Sequence, residues 1–183
     1  DSELEWEYQG NSRIGFNVKG GPVGGRVELR STSHGRDSGD STVDANFAHL
    51  SGNWNFGAGT LTVGKTQPPV YQFISGAIFN DGGFIGGSDG AAYSRRRGLL
   101  GLKFGAFEFA LIEPRASDLD TDGDVDTVFP KVEARWGMGF DWFSFNLMGG
   151  FQYYSITDAT KGTGTEDIDV TSYILAADAT ANF

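Results

Sequence analysis

The chain has 183 residues and a formal net charge of -10, with 28 Gly, 15 Phe, 6 Tyr and 4 Trp against 2 Met and no Cys. This loading favours twisted strands and tight turns over helices; the missing thiols exclude disulfides and thiolate metal sites, and the acidic balance argues against nucleic-acid partners, whose phosphates need a basic surface. Mean hydropathy is -0.28 and no stretch approaches the roughly 18 apolar residues of a membrane-crossing helix, which says nothing about chains that alternate apolar and polar residues.

A two-residue period dominates from the start. Over residues 3–19, Leu4, Trp6, Tyr8, Ile14, Phe16 and Val18 share one face, and Glu3, Glu5, Glu7, Arg13, Asn17 and Lys19 share the other. The parity holds throughout, which predicts one long strand. A Gly-rich turn at 20–25 leads to a strand at 26–30 with Val27 and Leu29 on the apolar side. The segment 43–56 is also read as a strand, although its alternation is less clean.

Further strands are predicted at 60–65 (Leu61, Val63), 97–104 (Leu100, Leu102, Phe104) and 107–111 (Phe107, Phe109, Leu111). At 129–136, Val132, Ala134 and Trp136 alternate with Lys131, Glu133 and Arg135. Two more follow at 143–153 (Phe143, Phe145, Leu147, Phe151, Tyr153) and 172–182 (Tyr173, Leu175, Ala177, Ala179, Ala181), making nine.

The connections alternate in length. Short ones lie at 20–25, 57–58, 105–106 and 137–141, and long polar ones at 31–42, 66–96, 114–127 and 157–167. A soluble sandwich also alternates apolar and polar residues, but short turns on one side and long loops on the other are how outer-membrane barrels are built. Trp6, Trp54, Trp136, Trp142, Tyr153 and Tyr173 stand at strand ends, where interfacial aromatic girdles are expected. The fold expectation is therefore all-β, a transmembrane antiparallel β-barrel formed as a single domain over 1–183. Nine is odd, whereas bacterial single-chain barrels have even counts. The expectation is thus an incomplete barrel, with at least one strand before Asp1 and several after Phe183.

The stretches NSRIGFNVKG (11–20) and FAHLSGNWNFGAGTLTVGK (47–65), followed by the long insertion 66–96, resemble the general outer-membrane porins of Gram-negative bacteria. The resemblance covers nearly the whole chain and rests more on the order of elements than on any one motif. It implies a sixteen-stranded barrel, usually a homotrimer, standing in the outer membrane among lipid and lipopolysaccharide and passing small hydrophilic solutes and ions by diffusion. It implies no enzyme activity and no required cofactor. Residues 66–96 become the loop that folds inward and constricts the pore. By position, Arg13 and Arg97, with Arg95 and Arg96 beside them, match the family's wall arginines, and Asp81 and Asp89 match the acids of the loop. Asp44 stands where the family often has another Arg, a departure that weakens the basic side.

Other signals are weighed beside this one. GTLTVGKT at 59–66 formally matches a phosphate-binding loop, but its Thr and Val residues favour a strand and Pro68 with Pro69 block the helix that mechanism needs. Asp118, Asp120, Asp122, Asp124 and Asp126 alternate around Gly123 like the start of a calcium loop, yet Phe129 stands where the closing Glu belongs. These acids make a candidate Ca²⁺ site in an outer loop; the alternative is a solvated acidic loop. They also motivate the competing functional expectation, a secreted all-β module binding glycans or surfaces through calcium. His34 and His49 have no neighbours at metal-ligand spacing and are read as incidental.

Overall fold

The computed structural model describes residues 12–31, 45–71, 95–114, 123–127, 129–161 and 164–181. The described chain is all-β. It forms the strands β1 (Arg13–Gly20), β2 (Val23–Ser31), β3 (Ala45–Asn55), β4 (Thr60–Thr66), β5 (Arg97–Phe104), β6 (Phe107–Ile112), β7 (Asp124–Asp126), β8 (Lys131–Phe140), β9 (Phe143–Lys161) and β10 (Gly164–Ala181). All belong to one antiparallel sheet in the order β1-β2-β3-β4-β5-β6-β8-β9-β10, with β7 paired to β9. Apart from β7, each strand pairs with the next one in sequence, as hairpin connections dictate.

The ten segments form nine columns. β9 pairs β8 as far as Phe151, and β7 takes up the same edge at Ser155–Thr157, so β7 and β8 are one column interrupted around Pro130. Proline lacks the N–H a ladder needs, which accounts for the break. The sheet is open, since β1 pairs only with β2 and β10 only with β9 among the described residues.

Three expected connections are corrected. The turn at 20–25 tightens to Gly21 and Pro22, and the turn at 137–141 moves to Asp141 and Trp142, because the flanking strands use the remaining residues. The predicted long loop at 157–167 is instead a continuation of β9 and β10, which pair out to Lys161 and Gly164. A bulge between Glu166 and Ile168 breaks the regular alternation there, and Asp158 takes φ 55° beside it, its N–H donating to Asp167 Oδ1 at 3.2 Å.

The untidy alternation of 43–56 has a cause. Glu28 pairs with His49 and Leu29 with Phe47, so Ala48 is an extra residue in β3. Ala48 and His49 both point inward and are buried, while Phe47 and Leu50, three positions apart, are both exposed. A one-residue bulge shifts the phase of the alternation, and β3 reads correctly on either side of it.

The register assigns the two faces. On the outer face apolar partners run from Phe16–Val27 and Val27–Leu50, across β3 and β4 as Trp54–Leu61 with Lys65 opposite Leu50, and on through Val63–Leu100, Leu100–Leu111, Leu111–Val132 and Val132–Phe151 to Phe151–Tyr173. Much of it is uncovered: Phe16 is 68% exposed, Leu175 78% and Tyr173 86%. The buried groups lie on the other face or against it, among them Leu99, Ala110, Ile112, Met148, Glu28, His49, Glu133 and Gln152.

Candidate functional site

The inner face sets charged groups beside small apolar clusters, Leu99 with Ala110 and Ile112, and Met148 under Val70. On β1 and β2 the Glu28 carboxylate is held between two guanidinium groups, with Arg13 Nη1 3.3 Å from Oε1 and Arg26 Nη2 on Oε2. Glu28 is buried while both arginines keep exposed surface. On β3 the Nδ1 of His49 lies 3.3 Å from Thr66 Oγ1 of β4, and the charges of Arg26, Arg96, Glu28 and Arg13 all act on its ring. The buried Nε atoms of Arg30 and Arg96 have no hydrogen-bond partner. β1, β2 and the residues entering β5 thus bring arginines to one region of the inner wall around one carboxylate and one imidazole.

Beyond β4 the chain turns over this face. Pro68 and Pro69 prevent a helix, and Tyr71 N–H donates to Pro69 O at 3.0 Å. Val70, fully buried, packs on Met148 of β9 with Ile174 and Ala176 of β10 beside it. Its N–H donates to Glu133 Oε2 at 2.8 Å, and the other oxygen of that carboxylate lies 2.7 Å from Lys131 Nζ. Glu133 is 1% exposed. One carboxyl side chain of β8 therefore fixes the backbone of the segment leaving β4, satisfying both a buried amide and a neighbouring ammonium.

A third group lies nearer the short turns. Arg135 donates from Nε and Nη2 to Asn146 Oδ1 at 3.0 and 2.7 Å, and Asn146 Nδ2 donates to Asp178 Oδ1 at 2.8 Å, linking β8, β9 and β10. Lys103 faces Glu108 across β5 and β6, and Glu108 faces Arg135 across β6 and β8. The row alternates in sign, which keeps its members extended and hydrated at a polar wall.

At the long-connection end of the outer face, Asp169 accepts from Ser155 Oγ at 2.7 Å and Tyr153 Oη at 2.9 Å. These donors hold its carboxyl below the ordinary carboxylate range, Ser155 contributing most.

Of the residues expected to form the constriction, Arg13 and Arg97 sit on the inner parity of β1 and β5, and Arg95 and Arg96 lead into β5. Asp81 and Asp89 lie outside the described residues, as do Asp118, Asp120 and Asp122. Asp124 and Asp126 fall in β7, extended and exposed, opposite Thr157 and Ser155. Among the described residues no group of three or more His, Cys, Asp and Glu side chains gathers as a metal site would require.

The sequence reading missed Glu28, His49 and Glu133 as organising groups. Glu28 had a legible signal, an acid flanked at two-residue spacing by Arg26 and Arg30 on one face. Glu133 had none, since its partner is a backbone amide 63 residues away. Comparison with family models, with curated proteins and with solved structures finds no match.

Proposed function

We propose that this chain forms the wall of a transmembrane β-barrel of the porin type, a water-filled channel for passive diffusion of small hydrophilic solutes. One observation carries the reading: across nine columns an uncovered apolar face backs a charged one. In water such an outer face seeks a cover. In lipid it needs none, and the polar inner face is tolerated because it borders water.

The dimensions agree. On β9 the outer residues from Phe143 to Tyr153 are apolar or aromatic, and ten residues at about 3.3 Å each, tilted about 40°, give a height of about 25 Å, the apolar band of such barrels. Aromatic rings border it at the short-turn end, where Trp54, Phe56 and Phe104 are in ring contact at 5.7 and 5.8 Å and Trp142 lies 5.7 Å from Phe143. At the other end Tyr153 points its hydroxyl to Asp169 and Ser155, as an interfacial tyrosine does. Ser155 and Thr157, next on the same face, are polar.

The residues after β4 supply the narrowing, held by Glu133. The reading carries with it an outer-membrane location beside lipid and lipopolysaccharide, assembly as a homotrimer, and no catalysis. It also requires strand partners for the free edges of β1 and β10, since unpaired backbone is not stable in hydrocarbon. A secreted calcium-dependent module would need its apolar face covered; the described strands form a single sheet.

The test is reconstitution of the full-length protein into planar bilayers. Stepwise ohmic conductance is expected, together with detergent dependence and heat-modifiable gel mobility. A folded preparation that stays monodisperse without detergent and conducts nothing refutes the proposal.

A further inference from the structure

The chain carries a net charge of -10, yet one wall of its inner face is basic. On β1 the inner parity holds Arg13 and Lys19, and on β2 it holds Arg26 and Arg30, with Glu28 the acid among them. Glu28 is 7% exposed and bound by Arg13 and Arg26, so its charge is both hidden and shared. Arg13, Arg26 and Lys19 remain exposed.

The register spaces these cations along the strands. Arg13 lies opposite Arg30, Arg26 opposite Asn17, and Lys19 opposite Gly24. At about 3.3 Å per residue the steps down the wall are about 13 and then about 7 Å. Both are comparable to the Debye length of about 10 Å at 0.1 M salt, so neighbouring potentials overlap instead of being screened apart. The lower half of this track borders an open cleft of about 910 Å³ lined also by Asn53, Thr60 and Thr62, with no acid among the described residues that line it. Its walls offer cations and neutral hydrogen-bonding groups along their length.

We propose that this basic track makes the channel selective for small anions, inorganic or carboxylate, over cations of similar size. The proposal rests on the channel reading and adds the class of solute. Charged rings and clefts set selectivity by raising the local concentration of counter-ions, and the charge that matters is the one facing the water path, not the total. Of the acids of the described inner wall, Glu28 and Glu133 are paired with cations, and Glu108 and Asp178 stand away from the track, on β6 and β10.

The experiment is the reversal potential of the full-length protein in planar bilayers under about a tenfold KCl gradient, with a chloride preference expected. The double substitution Lys19→Gln with Arg26→Gln should lower the chloride-to-potassium permeability ratio by about twofold or more, because it removes two cations and uncovers Glu28. Lys19→Gln alone, at an exposed position next to a turn, should move the ratio the same way without affecting folding. A potassium preference in the unaltered protein, or a ratio unmoved by the substitutions, overturns the proposal while conductance steps persist. Absence of any conductance overturns the channel reading and this proposal with it.

Discussion

Replacing Glu133 tests how the segment after β4 is held. In Glu133→Ala the buried N–H of Val70 loses its acceptor, which costs about 1–3 kcal/mol. Lys131 loses its partner as well, but its side chain keeps 23% of its surface in water, so the full cost of about 3–5 kcal/mol for breaking a buried pair is an upper bound. The two losses share one carboxylate and do not simply add. A net weakening of about 2–3 kcal/mol follows, equivalent to about a 30- to 150-fold rise in the population with the segment released, at tenfold per 1.4 kcal/mol.

The chain has no cysteine, so Val70→Cys introduces a unique thiol at a position with no exposed surface. It should label slowly in the parent background and faster by that factor when Glu133→Ala is added. Glu133→Gln retains an acceptor for Val70 but loses the charge, and should fall between the two. Equal labelling in all three backgrounds refutes the reasoning, because the segment would then not depend on that carboxylate.

Further outcomes follow from the same contacts. Leu147→Lys places a charge at mid-height on the outer face and should destabilise the folded protein in lipid by about 2–4 kcal/mol, read from denaturant unfolding in vesicles; a shift within error argues against lipid contact. Gly64 has φ 117° and a Cβ there would lie 2.3 Å from Leu50 O, so Gly64→Ala should cost at least about 1–3 kcal/mol, seen as a lowered transition in the heat-modified gel assay. Asn146→Ala removes the bridge between Arg135 and Asp178 and should cost about 1–3 kcal/mol of unfolding free energy, with Asp178→Asn added to it recovering part of the loss.

The nine columns were legible because alternation is a local property: each strand declares its faces through neighbours two residues away. The short turns at 57–58 and 105–106 were legible for the same reason, whereas those at 20–25 and 137–141 were drawn too long because glycines inside a strand read as turn residues. The β9–β10 extension was not, because 157–167 is polar on both faces and contains a bulge, leaving no period to read. The basic wall was partly visible through Arg13 and Arg97. Its organising acid, its histidine and the Glu133 anchor emerge only when register and the return of Val70 bring distant segments together.

Ala48 also constrains the length of β3. Because it is the one surplus residue between Phe47 and His49, its deletion would straighten β3 and force a choice between two errors. Either Phe47 turns into the polar interior, or His49 and the residues after it rotate onto the apolar exterior. The count from Ala45 to Leu50 is therefore fixed to the residue, and a length change inside that stretch would cost the strand the separation of its two faces.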